Sequence, residues 1–133
     1  MEHPYLVAFE RKLKELFDRV DDYLEERYEG LYPLHPVRPP RGATSSKDQD
    51  GLFSIGASFS PGFGTRYGKG YVVDLRIATL SHVDPALREQ ILRDALSHLQ
   101  RLLDEAFPDR HFKVVKDGEV YKIVGDLSLR RET

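Results

Sequence analysis

Residues 51–80 read GLFSIGASFS, PGFGTRYGKG and YVVDLRIATL. Apolar and more polar side chains alternate along the first and third of these blocks. Because successive side chains of a strand point to opposite faces, each block predicts a β-strand with one apolar face. Such alternation is typical of an antiparallel sheet that is solvated on one side. We therefore expect a hairpin whose strands are joined by a loop over residues 60–70.

This loop is long for a hairpin and rich in glycine. Hairpin loops usually have about 2–5 residues, and glycine allows backbone N–H groups to approach a ligand closely. Cationic side chains in the loop can bind an anion, and its aromatic side chains can stack on a ligand. The loop is therefore a candidate anion site, and its residues are Gly62, Gly64, Arg66, Tyr67, Gly68 and Lys69.

The loop does not match the common phosphate-binding motifs. A Walker A loop has four residues between its first glycine and the Gly-Lys pair, whereas five residues separate Gly62 from Gly68. The dinucleotide fingerprint requires glycine where this chain has Tyr67. Both motifs lead into a helix, whereas this loop leads into a strand. The alternative is a surface loop whose aromatic side chains cover a neighbouring part of the protein.

The N-terminal segment, residues 1–30, predicts a long amphipathic helix. Its apolar residues recur at alternating spacings of three and four, and they are Leu6, Phe9, Leu13, Leu16, Val20 and Tyr23. This seven-residue repeat suits a helix that lies across a sheet, and it also suits a helix that contacts a partner chain. Both interpretations stay open at this point.

Three further segments follow from local signals. Four prolines within residues 31–51 exclude a helix and predict an extended tether along the surface. Asp84 is a suitable N-cap and Pro85 a suitable first helical residue, so a second helix is predicted over 84–107. Residues 126–133 are expected to be a fraying tail.

The pair Asp117-Gly118 lies between two alternating runs and predicts a second hairpin over 111–125. Asp-Gly is typical of a two-residue type I′ turn. In this register Lys116 faces Glu119, and Val114 faces Tyr121.

The predicted order is α-β-β-α-β-β in a single domain over residues 1–133. This is an α+β fold with a four-stranded antiparallel sheet and two helices on one face. Moving the first strand of the ferredoxin-like order to the C-terminus gives the same order, so we predict a circularly permuted ferredoxin-like sandwich. The open face of the sheet is then formed by Ser54, Gly56, Ser58, Val72, Asp74, Arg76, Ala78, Val120, Lys122 and Val124.

Composition excludes several classes of function. The 133 residues include no cysteine, which excludes disulfides, thiol catalysis and cysteine-based metal sites. A net charge of −2 gives no overall attraction for nucleic acid. No apolar run is long enough to span a membrane, and no secretory signal is visible, so a cytoplasmic location is expected. The spacing of the histidines and carboxylates predicts no metal site, no cofactor and no catalytic residue.

The predicted function is that of a non-enzymatic protein-interaction or assembly module that acts as a homodimer. The expected contact is either the open sheet face or the helix face of Leu6, Phe9, Leu13 and Leu16. The alternative is a protein, enzyme or not, that binds a small anionic molecule, a phosphate or a nucleotide at loop 62–70.

Overall fold

The computed structural model describes residues 3–44 and 49–131. Its elements are α1 (Pro4–Arg27), β1 (Phe53–Ser60), β2 (Gly70–Ile77), α2 (Pro85–Ala106), β3 (Lys113–Asp117) and β4 (Val120–Val124). The strands form one antiparallel sheet in the order β1-β2-β4-β3. The predicted α+β class is therefore confirmed. The strand order does not conflict with a permuted ferredoxin-like arrangement, which stays a prediction.

The core lies between the two helices and one face of the sheet. On α1 the seven-residue repeat buries Phe9, Leu13 and Leu16, each at most 5% exposed. These side chains pack in one cluster with Phe53 of β1 and Leu99 of α2. Three of the four residues of the predicted dimer contact on this helix are thus covered by the chain's own sheet and second helix, so that contact is wrong for them, while the fourth, Leu6, is half-buried.

The turn of the C-terminal hairpin lies one residue further along the chain than predicted. Asp117 pairs with Val120 and Lys116 pairs with Tyr121, so the turn consists of Gly118 and Glu119. A type I′ turn requires positive φ at both central residues. Here Gly118 has φ 66°, and Glu119 is not among the described residues with positive φ. Glycine at the first central position suits a type II′ turn, and Asp117 becomes part of β3.

Hydrogen bonds hold the Pro-rich and C-terminal segments against the rest of the protein. In the Pro-rich segment the His35 N–H donates to the Ala78 carbonyl at 2.8 Å. Residues 45–48 of the predicted tether lie outside the described residues. In the C-terminal segment Arg110 Nη1 donates to the carbonyls of Asp126 and Ser128, both at 2.9 Å. Residues 126–128 of the predicted fraying tail are thus hydrogen-bonded to the body of the protein.

Candidate functional site

A buried ion pair holds the glycine-rich loop against the sheet face that points away from the helices. Lys122 lies in β4 and Asp117 in β3, and their Nζ and Oδ2 atoms are 2.9 Å apart. The Lys122 ammonium also donates to the Gly68 carbonyl at 2.7 Å and to Thr65 Oγ1 at 3.2 Å. Lys122 is only 1% exposed as a result. The prediction that Lys122 contributes to an open face is therefore wrong.

The backbone donors of the loop bind a carboxylate of the same chain. The N–H groups of Arg66 and Tyr67 donate to Asp117 Oδ1 and Oδ2, at 3.3 and 3.1 Å. The hydrogen bond from Lys122 and these two N–H groups hold the pKa of Asp117 below its usual range. Two of the donors that the sequence suggested for an external anion are thus already engaged.

Two glycines allow this close packing. Gly62 has φ +69°, and a Cβ there would lie 1.9 Å from the Gly68 carbonyl oxygen. Gly70 begins β2, and a Cβ there would lie 2.5 Å from the carbonyl oxygen of Ile123 in β4. The loop is therefore a closed ring that fits only glycine at its base. Thr65 closes it further, since its hydroxyl donates to the Gly62 carbonyl at 2.6 Å.

The fixed loop directs several side chains to solvent. Phe63 is 91% exposed and Tyr67 is 41% exposed. The Arg66 guanidinium lies over the Tyr67 ring, 5.3 Å from its centroid. Lys69 is exposed and makes no hydrogen bond or ion pair within residues 3–44 and 49–131. Of the predicted anion-site residues, Arg66 and Lys69 thus keep cationic groups available, while Gly62 serves to close the loop.

The free edge of the sheet at β1 is half protected by carboxyl groups of α1. The Ile55 N–H donates to Asp21 Oδ1 at 2.9 Å, and the Phe53 N–H donates to Glu25 Oε1 at 2.8 Å. Asp21 and Glu25 are one turn apart on α1, so their oxygens reach alternate outward N–H groups of an extended strand. They take the place that the carbonyls of a fifth strand would occupy.

Asp21 is fully buried, and its environment favours the neutral acid. Its exposed fraction is 0%, and its Oδ2 atom has no hydrogen-bond partner within the described part of the chain. Burial raises the pKa of Asp21 to about 8, although the Ile55 N–H and the charge of Arg41 act in the opposite direction. At neutral pH the side chain therefore accepts the Ile55 N–H mainly as a protonated carboxyl group.

The other half of the β1 edge carries no such protection. Hydrogen-bonded and non-hydrogen-bonded positions alternate along an antiparallel strand, so the backbone groups of Ala57 and Phe59 point outward like those of Phe53 and Ile55. No group within residues 3–44 and 49–131 bonds to them. Phe59 is 52% exposed. A cleft of about 500 Å³ follows this edge and is lined on the helix side by residues that include Leu13 and Phe17.

Part of the opposite edge, at β3, is covered by a side chain of α2. Gln100 Nε2 donates to the Phe112 carbonyl at 2.9 Å, and Gln100 Oε1 accepts from the Val114 N–H at 2.8 Å. The side-chain amide thus pairs with the strand as a neighbouring peptide group would. Lys113 and Lys116 also lie on this strand, and lysine disfavours pairing at a sheet edge.

An apolar cavity of about 280 Å³ lies beside the first turns of α1. Aromatic side chains from α1 and the strand ends form much of its wall, and the C-terminal segment closes one side. Its polar groups include the Tyr71 hydroxyl, which donates to Glu10 Oε2 at 2.9 Å. Burial and the neighbouring Glu10 raise the pKa of Tyr71. Lys69 is the one predicted site residue that lines this cavity.

Sequence reasoning missed the residues that organise these features. Asp117 was assigned to a turn, and Lys122 to an open face. Neither Asp21 nor Glu25 had a predicted role. The position of Lys122 in the middle of an otherwise apolar strand could have indicated that it is buried. No comparable signal existed for Asp21, because its role depends on where the edge of the sheet meets α1.

The described residues contain no cluster of three or more His, Asp or Glu side chains that could hold a metal ion. His98 instead stacks on Tyr23, with ring centroids 4.3 Å apart. Burial and the neighbouring cations Arg101 and Arg19 lower its pKa. Neither helix of the described structure has the length of apolar sequence that a bilayer crossing requires.

Comparison with known proteins places the chain in a family. A family profile described as "Uncharacterised protein" matches residues 4–125. An "Uncharacterized protein" of Borreliella burgdorferi is 37% identical over 117 residues, which cover 88% of this chain and 91% of that relative. No solved structure matches the chain. The matched range includes both helices and all four strands, and the chain therefore belongs to this family of uncharacterised proteins.

Proposed function

We propose that the chain, a single domain over residues 1–133, is a non-enzymatic assembly module that forms a homodimer along the free edge of β1. The observation that carries this proposal is the pattern of backbone groups on that edge. The Ile55 N–H is already bound to Asp21, whereas the outward groups of Ala57 and Phe59 have no partner in the described chain. Pro61 follows the strand and has no N–H to donate.

These features define one register for two antiparallel copies of β1. If the two-fold axis passes beside Ser58, Ala57 of each copy pairs with Phe59 of the other, and four backbone hydrogen bonds form. The next pair, Ile55 with Pro61, has no available donor on either side. A register centred on Ala57 would instead require the Ile55 N–H, which Asp21 holds. The free groups are therefore self-complementary about Ser58.

Side-chain packing supports the same arrangement. Phe59 projects on the helix side of β1 and is half exposed. In the proposed register it lies opposite the small side chain of the partner's Ala57. Its ring would then enter the cleft beside the partner's α1, where Leu13 and Phe17 form part of the wall. Buried aromatic anchors of this kind commonly supply most of the binding energy at an interface.

A cysteine placed on the two-fold axis tests the register. The chain has no cysteine, so Ser58→Cys introduces a single thiol. Directly opposed residues in a non-hydrogen-bonded pair have Cα atoms about 4.5 Å apart, which is within the range for a disulfide. Mild oxidation should therefore yield a covalent dimer, read by non-reducing electrophoresis.

Ser54→Cys is the matched control, since it lies on the same strand and the same face. In the proposed register the two Ser54 residues are roughly 26 Å apart at about 3.3 Å per residue, so they should not cross-link. Equal cross-linking of both variants, or none for Ser58→Cys, would contradict the register.

Ala57→Pro tests the dimer without altering the sheet of one chain. The Ala57 N–H points away from β2, and proline is tolerated at such an edge position. We expect sedimentation velocity at about 50 μM to give a dimer for the unchanged chain and a monomer for Ala57→Pro. Ser58→Ala should remain a dimer. A native mass of one chain at this concentration for the unchanged protein would refute the proposal.

Anion binding at loop 62–70 remains a second proposal, favoured by the exposed cationic groups of Arg66 and Lys69. Titration with inorganic phosphate, followed by the amide resonances of the loop, tests it. The shifts should disappear in the double variant Arg66→Ala/Lys69→Ala. A cytoplasmic location stays a prediction.

A further inference from the structure

We propose that the cavity beside the first turns of α1 binds a small apolar carboxylate, whose carboxyl group is held by Lys69. The cavity lies within one chain, but its Phe59 also belongs to the proposed dimer contact, so the test includes a variant that removes that contact. It extends the idea of an anion site to a different place and a different kind of ligand.

The shape and lining of the cavity favour a compact apolar body. Its volume is about 280 Å³, which is slightly below the usual range for drug-sized ligands of about 300–1,000 Å³. Phe9 and Phe59 each contact the Tyr71 ring, both with centroids 5.7 Å apart. Leu6 and Leu127 add aliphatic surface to the wall. A ring or a short branched chain fits such a lining.

The charged groups of the lining favour an anion over a cation. Glu10, the lining carboxylate, accepts the Tyr71 hydroxyl. Arg110 is 3% exposed, binds two carbonyls of the C-terminal segment and lies over Phe9. It therefore serves to build the wall. Lys69 is an exposed cation at the same cavity, and no carboxylate within the described residues pairs with it.

A carboxylate suits this position better than a phosphate. One ammonium group can satisfy one carboxylate with a charge-assisted hydrogen bond. A phosphate has more oxygens and carries more charge, and the backbone N–H groups of Arg66 and Tyr67 that could serve it are bound to Asp117. The second oxygen of a carboxylate can remain in solvent at the exposed side of Lys69.

The test uses three ligands that share one apolar body, namely 3-phenylpropionate, its amide and the corresponding amine. Binding is measured by ¹H–¹³C methyl spectra, with Leu6 and Leu127 as reporters at the cavity and the buried Leu99 of α2 as a distant reference. We expect the carboxylate to bind most tightly and to shift Leu6 and Leu127 but not Leu99. Tighter binding of the amine, or shifts confined to other residues, would overturn the proposal.

Lys69→Met removes the charge and keeps most of the apolar stem. It should weaken carboxylate binding about tenfold, as expected for one charge-assisted hydrogen bond, and leave amide binding unchanged. Arg66→Met is the matched control, since it removes a cation from the same loop that does not line the cavity. Equal effects of the two variants would contradict the role of Lys69. Repeating the titration on Ala57→Pro separates this site from the dimer.

Discussion

Two buried carboxyl groups beside the sheet are held in opposite protonation states. Asp117 receives the Lys122 ammonium and two backbone N–H groups, so hydrogen bonds favour its charged form. Asp21 receives a single N–H and keeps one oxygen without a partner, so burial favours its neutral form. The same residue type thus clamps a loop in one place and caps a strand edge in the other.

Asp21 makes the stability of the fold depend on pH. Its pKa is raised from 3.8 to about 8, so between these values the folded state binds a proton that the unfolded state has lost. The free energy of unfolding should therefore fall as pH rises from about 4 to 8, by about 1.4 kcal/mol per pH unit from this group. Above pH 8 this contribution should level off.

Asp21→Asn keeps an oxygen for the Ile55 N–H and removes the titration. Urea denaturation between pH 5 and 8.5 should therefore give a flatter profile for this variant than for the unchanged chain. Asp18→Asn removes a neighbouring negative charge that helps to raise the pKa of Asp21, so in this variant the fall in the free energy of unfolding should end at a lower pH. An unchanged slope in Asp21→Asn would mean that another group titrates.

The position of the hairpin turn at Gly118 could not be predicted from the local sequence. Asp-Gly favours a type I′ turn, and local propensity alone placed both residues in it. The structure instead keeps Asp117 in β3, where its carboxylate meets Lys122 and the loop. These long-range contacts outweigh the local preference, and they join residues about 50 positions apart in the sequence.

At the scale of elements, the glycine-rich loop is hydrogen-bonded to the outer face of the sheet. Its length and composition indicated a ligand-binding loop, which stays a prediction. Gly62 and Gly70 admit backbone carbonyls of the same chain. The N–H groups of Arg66 and Tyr67 bind its own Asp117, which no spacing rule could have identified. The strands on either side followed from alternation, because that signal is set by local geometry.

Gly62→Ala should open this loop. The added Cβ would lie 1.9 Å from the Gly68 carbonyl oxygen, so the ring cannot close and several partly buried hydrogen bonds are lost. We expect a loss of about 3 kcal/mol in the free energy of unfolding, at about 1 kcal/mol per bond, with faster amide exchange at Arg66 and Tyr67.

Gly64→Ala is the control for Gly62→Ala. Gly64 also has positive φ, but no atom lies within 4 Å of an added Cβ. Gly64→Ala should lower the free energy of unfolding only through backbone strain, by about 1–2 kcal/mol. Amide exchange at Arg66 and Tyr67 should stay slow. Equal exchange in the two variants would show that the clash is relieved elsewhere.

Helix α1 serves two neighbouring elements at once. Its seven-residue repeat buries Leu13 and Leu16 in the core, while Asp21 and Glu25 reach the edge of β1. The repeat was visible in the sequence, and it left open whether the helix contacts a sheet or a partner. In the structure the helix packs on the sheet, and these side chains form part of the core.

At the scale of the whole molecule, the two edges of the sheet differ in how easily they can pair with a strand of another chain. Gln100→Leu tests whether Gln100 prevents such pairing at β3, because leucine has a similar size and removes both hydrogen bonds to Phe112 and Val114. We expect a loss of about 1–3 kcal/mol in stability and the appearance of species larger than a dimer in light scattering.

Asp104→Ala is the matched control for Gln100→Leu. It removes the hydrogen bond between Gln100 and Asp104 within α2 and leaves the contacts with β3. Its particle size should match that of the unchanged chain. Larger species in both variants would point to a general loss of stability as their cause.

The half-protected edge of β1 also determines how large an assembly can become. A strand that is open along its whole length can recruit neighbours in several registers, which is how fibrils begin. Here two carboxyl groups from α1 and one proline leave a window of two outward-facing residues on this edge, Ala57 and Phe59. In the proposed dimer, pairing through that window engages the free backbone groups of both β1 edges, so this edge recruits no third chain and the contact has point-group symmetry.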